Sequence, residues 1–432
     1  MAADAHGLDR PKRPLHALFR MTERLYYEDS YLTEFEATVA ELDDGGRLLY
    51  LDRSAFYPTS GGQAHDLGSI RGLNTQAAEV QVVDVVDEGA RVAHVLERAL
   101  PSATPGTRVL GRIDFRRRFD HMQQHTGQHL LSALFQELLG LGTLSVHFGV
   151  ESSTLDLDAA SIDAEQIRQV EERANARVFD NQPVRAEVEA ADTAQGLRKA
   201  SARSGPLRVV SIGAIDRSAC GGTHVRSTGE IGPILMRKQE RVRKATRVEF
   251  VCGSRAARRA RADYDALARL GSVLSTSVDS VCEVVAARHA EHKQQTAALR
   301  EARESLEAYR AKELYALASA DVAHSNGLVV CVERRPGGAL QDVRGVALSY
   351  IEQTKAVFIA LSEHPPSLLL AASEDSGVDA GSVLKAALAV TNGRGGGSAR
   401  LAQGSVEGRA DLLQVLDSIQ GSLGLACLPV PA

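Results

Sequence analysis

Residues 120–140 read D-H-M-Q-Q-H-T-G-Q-H-L-L-S-A-L-F-Q-E-L-L-G, and this stretch decides how the chain folds. Its leucines recur at helical spacing. Asp120 is placed to cap a helix, with Gln123 three residues later, and Gly140 is placed to end it. His125 and His129 are four residues apart, so both imidazoles project from one face of that helix. Taken alone, such a pair is more often an ordinary surface or core feature than a metal site.

A second pair of metal-binding side chains lies in C-G-G-T-H at residues 220–224. Its two glycines let the backbone turn tightly, so that the Cys220 thiolate and the His224 imidazole reach the same ion. Three nitrogens and one sulfur form a tetrahedral set of the zinc type. We therefore predict one Zn²⁺ per chain, held by His125, His129, Cys220 and His224. Four protein ligands normally mark a structural zinc, whereas metal catalysis needs an open position, and the sequence leaves both readings open.

The pattern of apolar residues on either side of this helix predicts an α+β chain of several domains. The predicted segments are 1–20, a disordered tail; 21–110, a small β-barrel-like N-terminal domain; 111–254, a zinc-binding α+β domain; 255–325, a long helical linker; and 326–432, a C-terminal α/β domain. A hairpin is expected over 31–52 and a helix over 161–179. The stretch 392–404 is interpreted as a glycine-rich loop.

The predicted linker carries an apolar seam on one helical face. Leu299 and Leu306 lie seven residues apart, Ala302 and Tyr309 continue the step, and His292 interrupts it. This pattern indicates a coiled coil that joins two copies into a homodimer, or an intramolecular helical hairpin. Both interpretations stay open.

Composition limits the classes of function. The chain has 432 residues and a net charge of −5, so any contact with nucleic acid must come from local basic patches. The five cysteines are widely scattered, which favours a reducing compartment, and we expect a cytoplasmic protein. No apolar run approaches the length of a membrane span, and no membrane partner is expected.

Basic residues cluster at two places. Arg112, Arg116, Arg117 and Arg118 directly precede the histidine helix, and ten Lys or Arg stand against two Glu within 237–261. A phosphate-rich partner would explain both clusters. A solvated charged face would also explain the second one, and that is the more common outcome.

Four motifs together resemble a known family. They are F-Y-P-T-S-G-G-Q (56–63), H-M-Q-Q-H-T-G-Q-H-L-L-S (121–132), S-V-H-F-G (145–149) and C-G-G-T-H-V (220–225). In order and spacing they resemble the alanyl-tRNA editing proteins, often called AlaX, which are free-standing relatives of the editing domain of alanyl-tRNA synthetase. The stretches G-V-D-A-G-S-V-L-K-A-A-L (377–388) and G-R-G-G-G-S-A-R-L-A-Q-G (393–404) are similar to the DHHA1 domain of the family's long form.

The resemblance implies a zinc-dependent aminoacyl-tRNA hydrolase that acts on tRNA(Ala) charged with Ser or Gly. It implies the metal ligands already named and a substrate pocket lined by Gly61, Gly62, Gln63 and Gln128. We add Thr126 to this pocket, because a polar pocket can select the hydroxyl of serine. With the basic cluster, it predicts tRNA contacts at Arg116, Arg117, Arg118, Arg394, Gly395, Gly396 and Gly397. His147 is a candidate general base. We see no segment that reads as an aminoacylation domain, which predicts a trans-acting editor. Two alternatives remain: editing of another mischarged tRNA of the Thr-tRNA type, or a non-catalytic tRNA-binding protein with a structural zinc.

Overall fold

The computed structural model describes residues 21–43, 45–73, 78–200, 204–320 and 326–425. The predicted tail, 1–20, lies outside these ranges. By internal packing the chain divides into two compact units, Met1–Arg269 and Leu270–Ala432. Helices and several sheets, one of them a closed barrel, make this a mixed α+β protein, which confirms the predicted class. The finer five-part division stays a prediction.

A closed β-barrel opens the first unit. The first eight strands are β1 (Glu23–Arg24), β2 (Glu34–Leu42), β3 (Leu48–Leu51), β4 (Arg53–Ser54), β5 (Gly68–Gly72), β6 (Val80–Asp87), β7 (Val92–Leu96) and β8 (Arg108–Ile113). Six of them close in the order β2-β3-β7-β6-β5-β8. Alternate side chains point inwards, and Phe35, Leu49, Ile70 and Val109 belong to the resulting core. The predicted hairpin forms from β2 and β3, which pair antiparallel.

A central helix and two small sheets follow the barrel. Their elements are α1 (Phe115–Leu139), β9 (Thr143–Phe148), β10 (Ser153–Leu157), α2 (Ala164–Phe179), β11 (Val184–Ala190), β12 (Pro206–Ile212), β13 (Asp216–Ala219), β14 (Ile234–Val242), β15 (Ala245–Cys252) and α3 (Gly253–Leu274). One sheet has the strand order β14-β15-β10-β9 and the other β11-β12-β13. Helix α2 begins at a capping box made by Asp163 and Gln166, which the sequence analysis did not single out.

The start of α1 was predicted too late. Asp114 caps the helix, its carboxylate accepting from the Arg117 backbone N–H at 3.2 Å. Asp120 lies inside the helix and bonds to the Arg255 guanidinium, with Nη2 2.7 Å from Oδ2. The first turns carry mainly charged residues, so the apolar periodicity begins only after the helix has started. The predicted end is right, since Gly140 closes the helix in the left-handed conformation.

The part of helix α1 that carries His125 and His129 is buried on all sides. Every residue from Met122 to Phe135 is buried, polar ones included. The helix contacts α2, β9, β10, β13 and β15, and its leucines belong to the main core of this unit. Close packing on every face fixes the positions of the histidines that α1 carries.

A buried ion pair joins α1 to the loop between β4 and β5. The Arg118 and Asp66 side chains are both 0% exposed, and Arg118 Nε lies 2.9 Å from Asp66 Oδ1. Arg118 also donates to the Ser30 carbonyl at 2.8 Å and to the Ala55 carbonyl at 2.5 Å. A guanidinium enclosed in this way is out of reach of a phosphate. The prediction that Arg118 contacts tRNA is therefore corrected: its role is to join two elements.

The second unit is a five-stranded sheet with helices. Its elements are α4 (Val281–Ser319), β16 (Val329–Arg335), α5 (Gln341–Tyr350), β17 (Ala356–Glu363), β18 (Pro366–Ala372), α6 (Ala380–Leu388), β19 (Arg394–Gly397), β20 (Leu401–Ser405) and α7 (Arg409–Ser422). The strand order is β16-β17-β18-β20-β19. The predicted glycine-rich loop is wrong. Its residues form the antiparallel pair β19 and β20, whose glycines lack the apolar alternation by which strands are recognised.

The apolar seam of the predicted linker lies on α4. Leu299, Leu306 and Tyr309 are exposed, at 72%, 69% and 72%. The homodimer that this seam suggested stays a prediction. Within the described ranges no single helix combines the length and the hydropathy of a membrane span. One bent pair, Gly253–Leu274 with Val278–Ser319, passes jointly by length and composition only.

We expect Arg118→Ala to lower the free energy of unfolding by roughly 3–5 kcal/mol, because it leaves the Asp66 carboxylate buried without its partner. Chemical denaturation followed by circular dichroism measures the change. Arg116→Ala is the matched control: it removes an exposed arginine from the same helix, and a change within about 0.5 kcal/mol is expected. Equal stability of the two variants would contradict the structural role of Arg118.

Candidate metal centre

Four side chains from distant parts of the chain converge beside α1. Their ligand atoms, the imidazole nitrogens of His125, His129 and His224 and the Cys220 sulfur, all lie within 4.8 Å of one another. The Cys220 Sγ is 3.3 Å from both His125 Nε2 and His224 Nε2. Tetrahedral zinc with ordinary Zn–N and Zn–S bonds would separate neighbouring ligand atoms by roughly 3.3–3.6 Å. The cluster therefore has the donor types and the spacing to bind a metal ion.

Each histidine is held by its other ring nitrogen. His125 Nδ1 lies 2.8 Å from the Gln63 Oε1, and His129 Nδ1 lies 2.9 Å from the Asp216 carboxylate. His224 Nδ1 lies 3.1 Å from the Thr126 hydroxyl. When Nδ1 donates to these oxygens, Nε2 is left unprotonated and can bind a metal. All three contacts are compatible with a proton on Nδ1, which directs Nε2 of each ring to the cluster.

The charge state of the cluster also suits a cation. Burial raises the pKa of the Cys220 thiol, but the neighbouring His125 and His224 outweigh this and lower it well below its usual value. The Gly222 backbone N–H points at the same sulfur, 3.4 Å away. Burial lowers the pKa of His224 to about 3, so this ring is neutral. A thiolate and neutral imidazoles are the protonation states in which these groups bind metals.

The pKa of His129 shifts in the opposite direction. Burial lowers it, but hydrogen bonds to Asp216 and Cys220 outweigh burial and raise the value to about 9. Asp216 is itself fixed: its Oδ1 accepts from Arg198 Nε at 2.7 Å and from the Ser218 hydroxyl at 3.1 Å. A metal on His129 therefore displaces a proton that the ring otherwise keeps near neutral pH.

The loop that carries Cys220 and His224 is shaped by two features. A Cβ at Gly222 would overlap the His125 ring, so only glycine allows the loop to approach α1 this closely. Arg208 donates to the carbonyls of Cys220 and Gly222, each at 2.9 Å, and thereby holds the turn. Arg208 and Asp216 were not singled out from the sequence. Asp216 lies four residues before Cys220. A search for carboxylates close in sequence to the predicted metal ligands could have found it.

Two of the predicted substrate residues have their polar groups engaged at the centre. The Gln63 amide donates to the Thr223 hydroxyl at 2.7 Å and accepts from the Thr223 N–H at 3.2 Å, besides its bond to His125. Thr126 accepts from the Val225 N–H at 3.2 Å as well as facing His224. In this geometry both orient histidines of the candidate centre. Gly61 and Gly62 form the tight turn between Ser60 and Gln63, with φ of 58° and 86°.

Among the described residues, no hydrogen bond joins the predicted substrate residue Gln128 or the predicted general base His147 to the four donors. Gln128 is buried on α1 and donates to the Ser132 hydroxyl at 2.8 Å. His147 is exposed on β9, and by strand alternation it faces away from Phe148, whose ring lies 5.0 Å from that of His125. The roles assigned to Gln128 and His147 stay predictions.

The predicted tRNA-contacting residues are divided between the units. Arg116 is exposed at the start of α1, and Arg117 beside it is half-buried and donates to the His65 carbonyl at 3.1 Å. Arg394 and Gly395 to Gly397 form the exposed edge strand β19 of the second unit. Apart from the buried Arg118, these residues are accessible to a large partner.

We expect Asp216→Asn to weaken Zn²⁺ binding by about 10–100-fold, because the neutral amide no longer holds the His129 ring as a carboxylate does. Competition with a colorimetric chelator measures the affinity. Asp156→Asn serves as the control, since Asp156 pairs with Arg247 and belongs to a different sheet from Asp216. An unchanged affinity in Asp216→Asn, or an equal loss in both variants, would contradict this role.

Comparison with known families gives two matches. Residues 207–248 match the family described as threonyl and alanyl tRNA synthetase second additional domain, and this segment contains Cys220 and His224. Residues 13–117 match tRNA synthetases class II (A). The described part of that second segment consists of the barrel and the first turn of α1.

Curated relatives are alanine–tRNA ligases. Those of Pyrococcus furiosus and Pyrobaculum neutrophilum are 31% and 32% identical over 93% of this chain, which covers 44% of each. That of Aeropyrum pernix is 31% identical over 97% of the chain and 47% of its own length. The chain thus spans less than half of these relatives. The C-Ala domain of Aquifex aeolicus alanyl-tRNA synthetase, 21% identical, covers 22% of this chain and 88% of that structure with a TM-score of 0.20, too low to compare folds. The two family matches and the alanine–tRNA ligases show that the chain is related to alanyl-tRNA synthetase.

Proposed function

We propose that this chain is a trans-editing hydrolase that removes serine, and also glycine, from mischarged tRNA(Ala) at a zinc site. The observation that carries the proposal is the convergence of three oriented imidazoles and one thiolate, two of them within the segment that matches the synthetase second additional domain. Relatives named alanine–tRNA ligase favour tRNA(Ala) as the tRNA. The resemblance of the four sequence motifs to editing proteins favours hydrolysis.

The residues present fit zinc better than a hard cation. Thiolate and imidazole are soft or borderline donors, whereas Mg²⁺ and Ca²⁺ prefer oxygen. His125, His129, Cys220 and His224 would hold the ion, one per chain. When bound, zinc supplies Lewis acidity and lowers the pKa of a coordinated water.

The reaction would break the ester between the amino acid and the terminal ribose. Water adds to the ester carbonyl carbon, the bond from that carbon to the ribose oxygen breaks, and a free amino acid and a ribose hydroxyl result. The chain's own contribution is positional: Gln63, Asp216 and Thr126 hold the three rings, and the buried surroundings strengthen electrostatic interactions at the ester.

Selection of serine over alanine requires a polar pocket. An apolar pocket discriminates poorly between substrates that differ by one methyl group. A site built to form a hydrogen bond with a hydroxyl strongly disfavours a substrate without that hydroxyl. Gln128 remains our candidate for that contact, by its resemblance to the family motif. The resemblance of residues 326–432 to DHHA1 further suggests that Arg394 and the glycines of β19 contact the tRNA.

The main competing function is a non-catalytic tRNA-binding protein with a structural metal. The specific observation in its favour is that four protein donors already complete a tetrahedral shell. Editing of a Thr-tRNA type substrate is a weaker alternative, since the matching family description includes threonyl enzymes.

We expect the zinc-loaded protein to release labelled serine from Ser-tRNA(Ala) and to leave Ala-tRNA(Ala) intact. Cys220→Ala should abolish release, because it removes the only charged donor of the cluster. Cys282→Ala, at an exposed cysteine of α4, is the matched control and should keep full activity. Tight tRNA binding without release from any charged tRNA would support the structural-metal alternative. ATP-dependent charging of tRNA(Ala) by this chain would contradict a pure editor.

Gln63→Ala and Gln128→Ala should separate metal positioning from substrate selection. Gln63→Ala is expected to lower zinc affinity by about 10–100-fold, since His125 loses its acceptor. Gln128→Ala is expected to keep zinc and to lose the preference for Ser-tRNA(Ala) over Ala-tRNA(Ala). The measurements are zinc content and the ratio of kcat/KM for the two substrates. An unchanged ratio in Gln128→Ala would exclude that residue from selection.

A further inference from the structure

An unusually long connection joins two strands of the three-stranded sheet beside the metal centre. Strands β11 and β12 pair antiparallel, and residues 191–205 connect them. Connections between two such strands usually have about 2–5 residues. The structure describes 191–200 and 204–205 of this connection, and we call residues 191–200 the strap. Long connections of this kind are often functional loops.

The strap reaches β13, although β12 separates β13 from β11 in the sheet. The Arg198 N–H donates to the Arg217 carbonyl at 2.8 Å, and the Arg217 guanidinium donates to the Gln195 carbonyl. All residues of the strap are exposed or half-buried. Segments with little buried surface open locally at a low cost in free energy. Docking of the strap on β13 therefore depends on a small set of hydrogen bonds around Arg198 and Arg217.

The side chain of Arg198 connects the strap to the metal centre. Arg198 Nε lies 2.7 Å from Asp216 Oδ1, and Arg198 Nη2 lies 3.1 Å from the Ser218 hydroxyl. The Asp216 side chain is 0% exposed, and its other oxygen, Oδ2, lies 2.9 Å from His129 Nδ1. The Arg198 side chain is 20% exposed. A row of three side chains thus runs from the surface of the strap to one of the four donors.

The two sides of the Asp216 carboxylate are geometrically coupled. Its oxygens belong to one planar group, so a rotation that takes Oδ1 away from Arg198 also moves Oδ2 relative to His129. The terminal torsion of an aspartate has a broad energy minimum, so hydrogen bonds determine its angle. Besides His129, Arg198 and the Ser218 hydroxyl supply these bonds among the described residues. The bond from the charged guanidinium is roughly twice as strong as one from a hydroxyl, so Arg198 is the main group that orients the carboxylate.

We propose that docking of the strap through Arg198 and binding of a metal at His129 stabilise each other, so that the strap sets how firmly the centre retains its ion. Arg198 is a positioning residue, because it acts through Asp216 and does not touch the ion. Such coupling is reciprocal: a strap that strengthens metal binding by some factor is itself held more firmly by the metal, by the same factor. The inference rests on the metal centre of the proposed function and is independent of hydrolysis.

The first test compares the zinc affinity of the whole chain and its variants by competition with a chelator. Arg198→Gln should weaken zinc binding by about tenfold, the lower end of the range for the loss of outer partners of metal ligands. Arg198→Lys keeps a positive charge near Asp216 and should recover part of that loss. Arg247→Gln breaks another arginine–aspartate pair, with Asp156 in the other sheet, and should leave the affinity unchanged. Unchanged affinity in Arg198→Gln, or an equal loss in Arg247→Gln, overturns the proposal.

The second test measures docking of the strap itself. Lys199 is exposed beside Arg198, and a protease that cleaves only after lysine reports how often the strap opens at this bond. Zinc should slow cleavage after Lys199 in the wild-type chain by about tenfold, the reciprocal of the effect on affinity. In Arg198→Gln, zinc should no longer slow it. Arg217→Ala removes the hold on Gln195 but keeps Arg198, so cleavage should be faster while the protection by zinc persists.

The outcomes of the second test separate a coupled strap from a merely structural one. If Arg198 only stabilised the strap, Arg198→Gln would speed cleavage by the same factor with and without zinc, and that result overturns the proposal. Thermal unfolding of all variants shows that the rates concern folded protein.

Failure of this inference can be told apart from failure of the proposed function. A wild-type chain that binds zinc without any protection at Lys199 overturns the coupling and leaves the metal centre standing. A wild-type chain that binds no zinc overturns the metal centre and the coupling with it. A chain that binds zinc and shows the protection, but hydrolyses no charged tRNA, supports the coupling and overturns the hydrolase alone.

Discussion

The hydrogen bonds from three imidazole Nδ1 atoms to three fixed oxygens are the constraint on which the rest of this centre depends. Gln63 comes from the loop between β4 and β5, Thr126 from α1 and Asp216 from β13. Each histidine is therefore oriented by an element other than its own. The donors converge only when barrel, helix and three-stranded sheet have all packed, so metal affinity is a property of the whole first unit.

The buried polar residues of α1 likewise need hydrogen-bond partners from neighbouring elements. The segment from Met122 to Phe135 contains glutamines, histidines and a threonine inside the core, and each such group must find a partner there. Gln124 meets the backbone of Cys252 twice, at 3.1 and 2.9 Å, and Gln123 donates to the Glu230 carbonyl at 2.9 Å. The buried polar residues of α1 thus have two roles. The histidines belong to the candidate metal centre, and Gln123 and Gln124 bind the backbone of neighbouring segments.

The sequence predicts those features of the fold and the site that depend on local spacing along the chain. His125 and His129 share a face because helical spacing requires it, and the glycine turn at 220–224 suggests its own pair of donors. Helical periodicity also located the end of α1. Its start was misplaced because D-F-R-R-R carries no apolar period, and β19 was taken for a loop because glycines hide strand alternation. Asp66 and Asp216 act through contacts with residues of α1 that lie 52 and 87 positions away, so spacing in the sequence does not reveal their partners.

The hydrogen bonds that hold the four donors also affect how easily a donor could be displaced from a bound metal. His125, His129, Cys220 and His224 would fill a tetrahedral shell, so chemistry at a bound metal would require a fifth position or the exchange of a donor. The donors are anchored unequally. His129 is held by the Asp216 carboxylate, which also accepts a hydrogen bond from Arg198. Cys220 lies in a turn whose carbonyls accept hydrogen bonds from Arg208. His224 is held by a neutral hydroxyl, and it lines a separate small cavity of about 120 Å³. A charged acceptor makes the stronger hydrogen bond, so His224, like His125 with its neutral Gln63 acceptor, is anchored less firmly than His129.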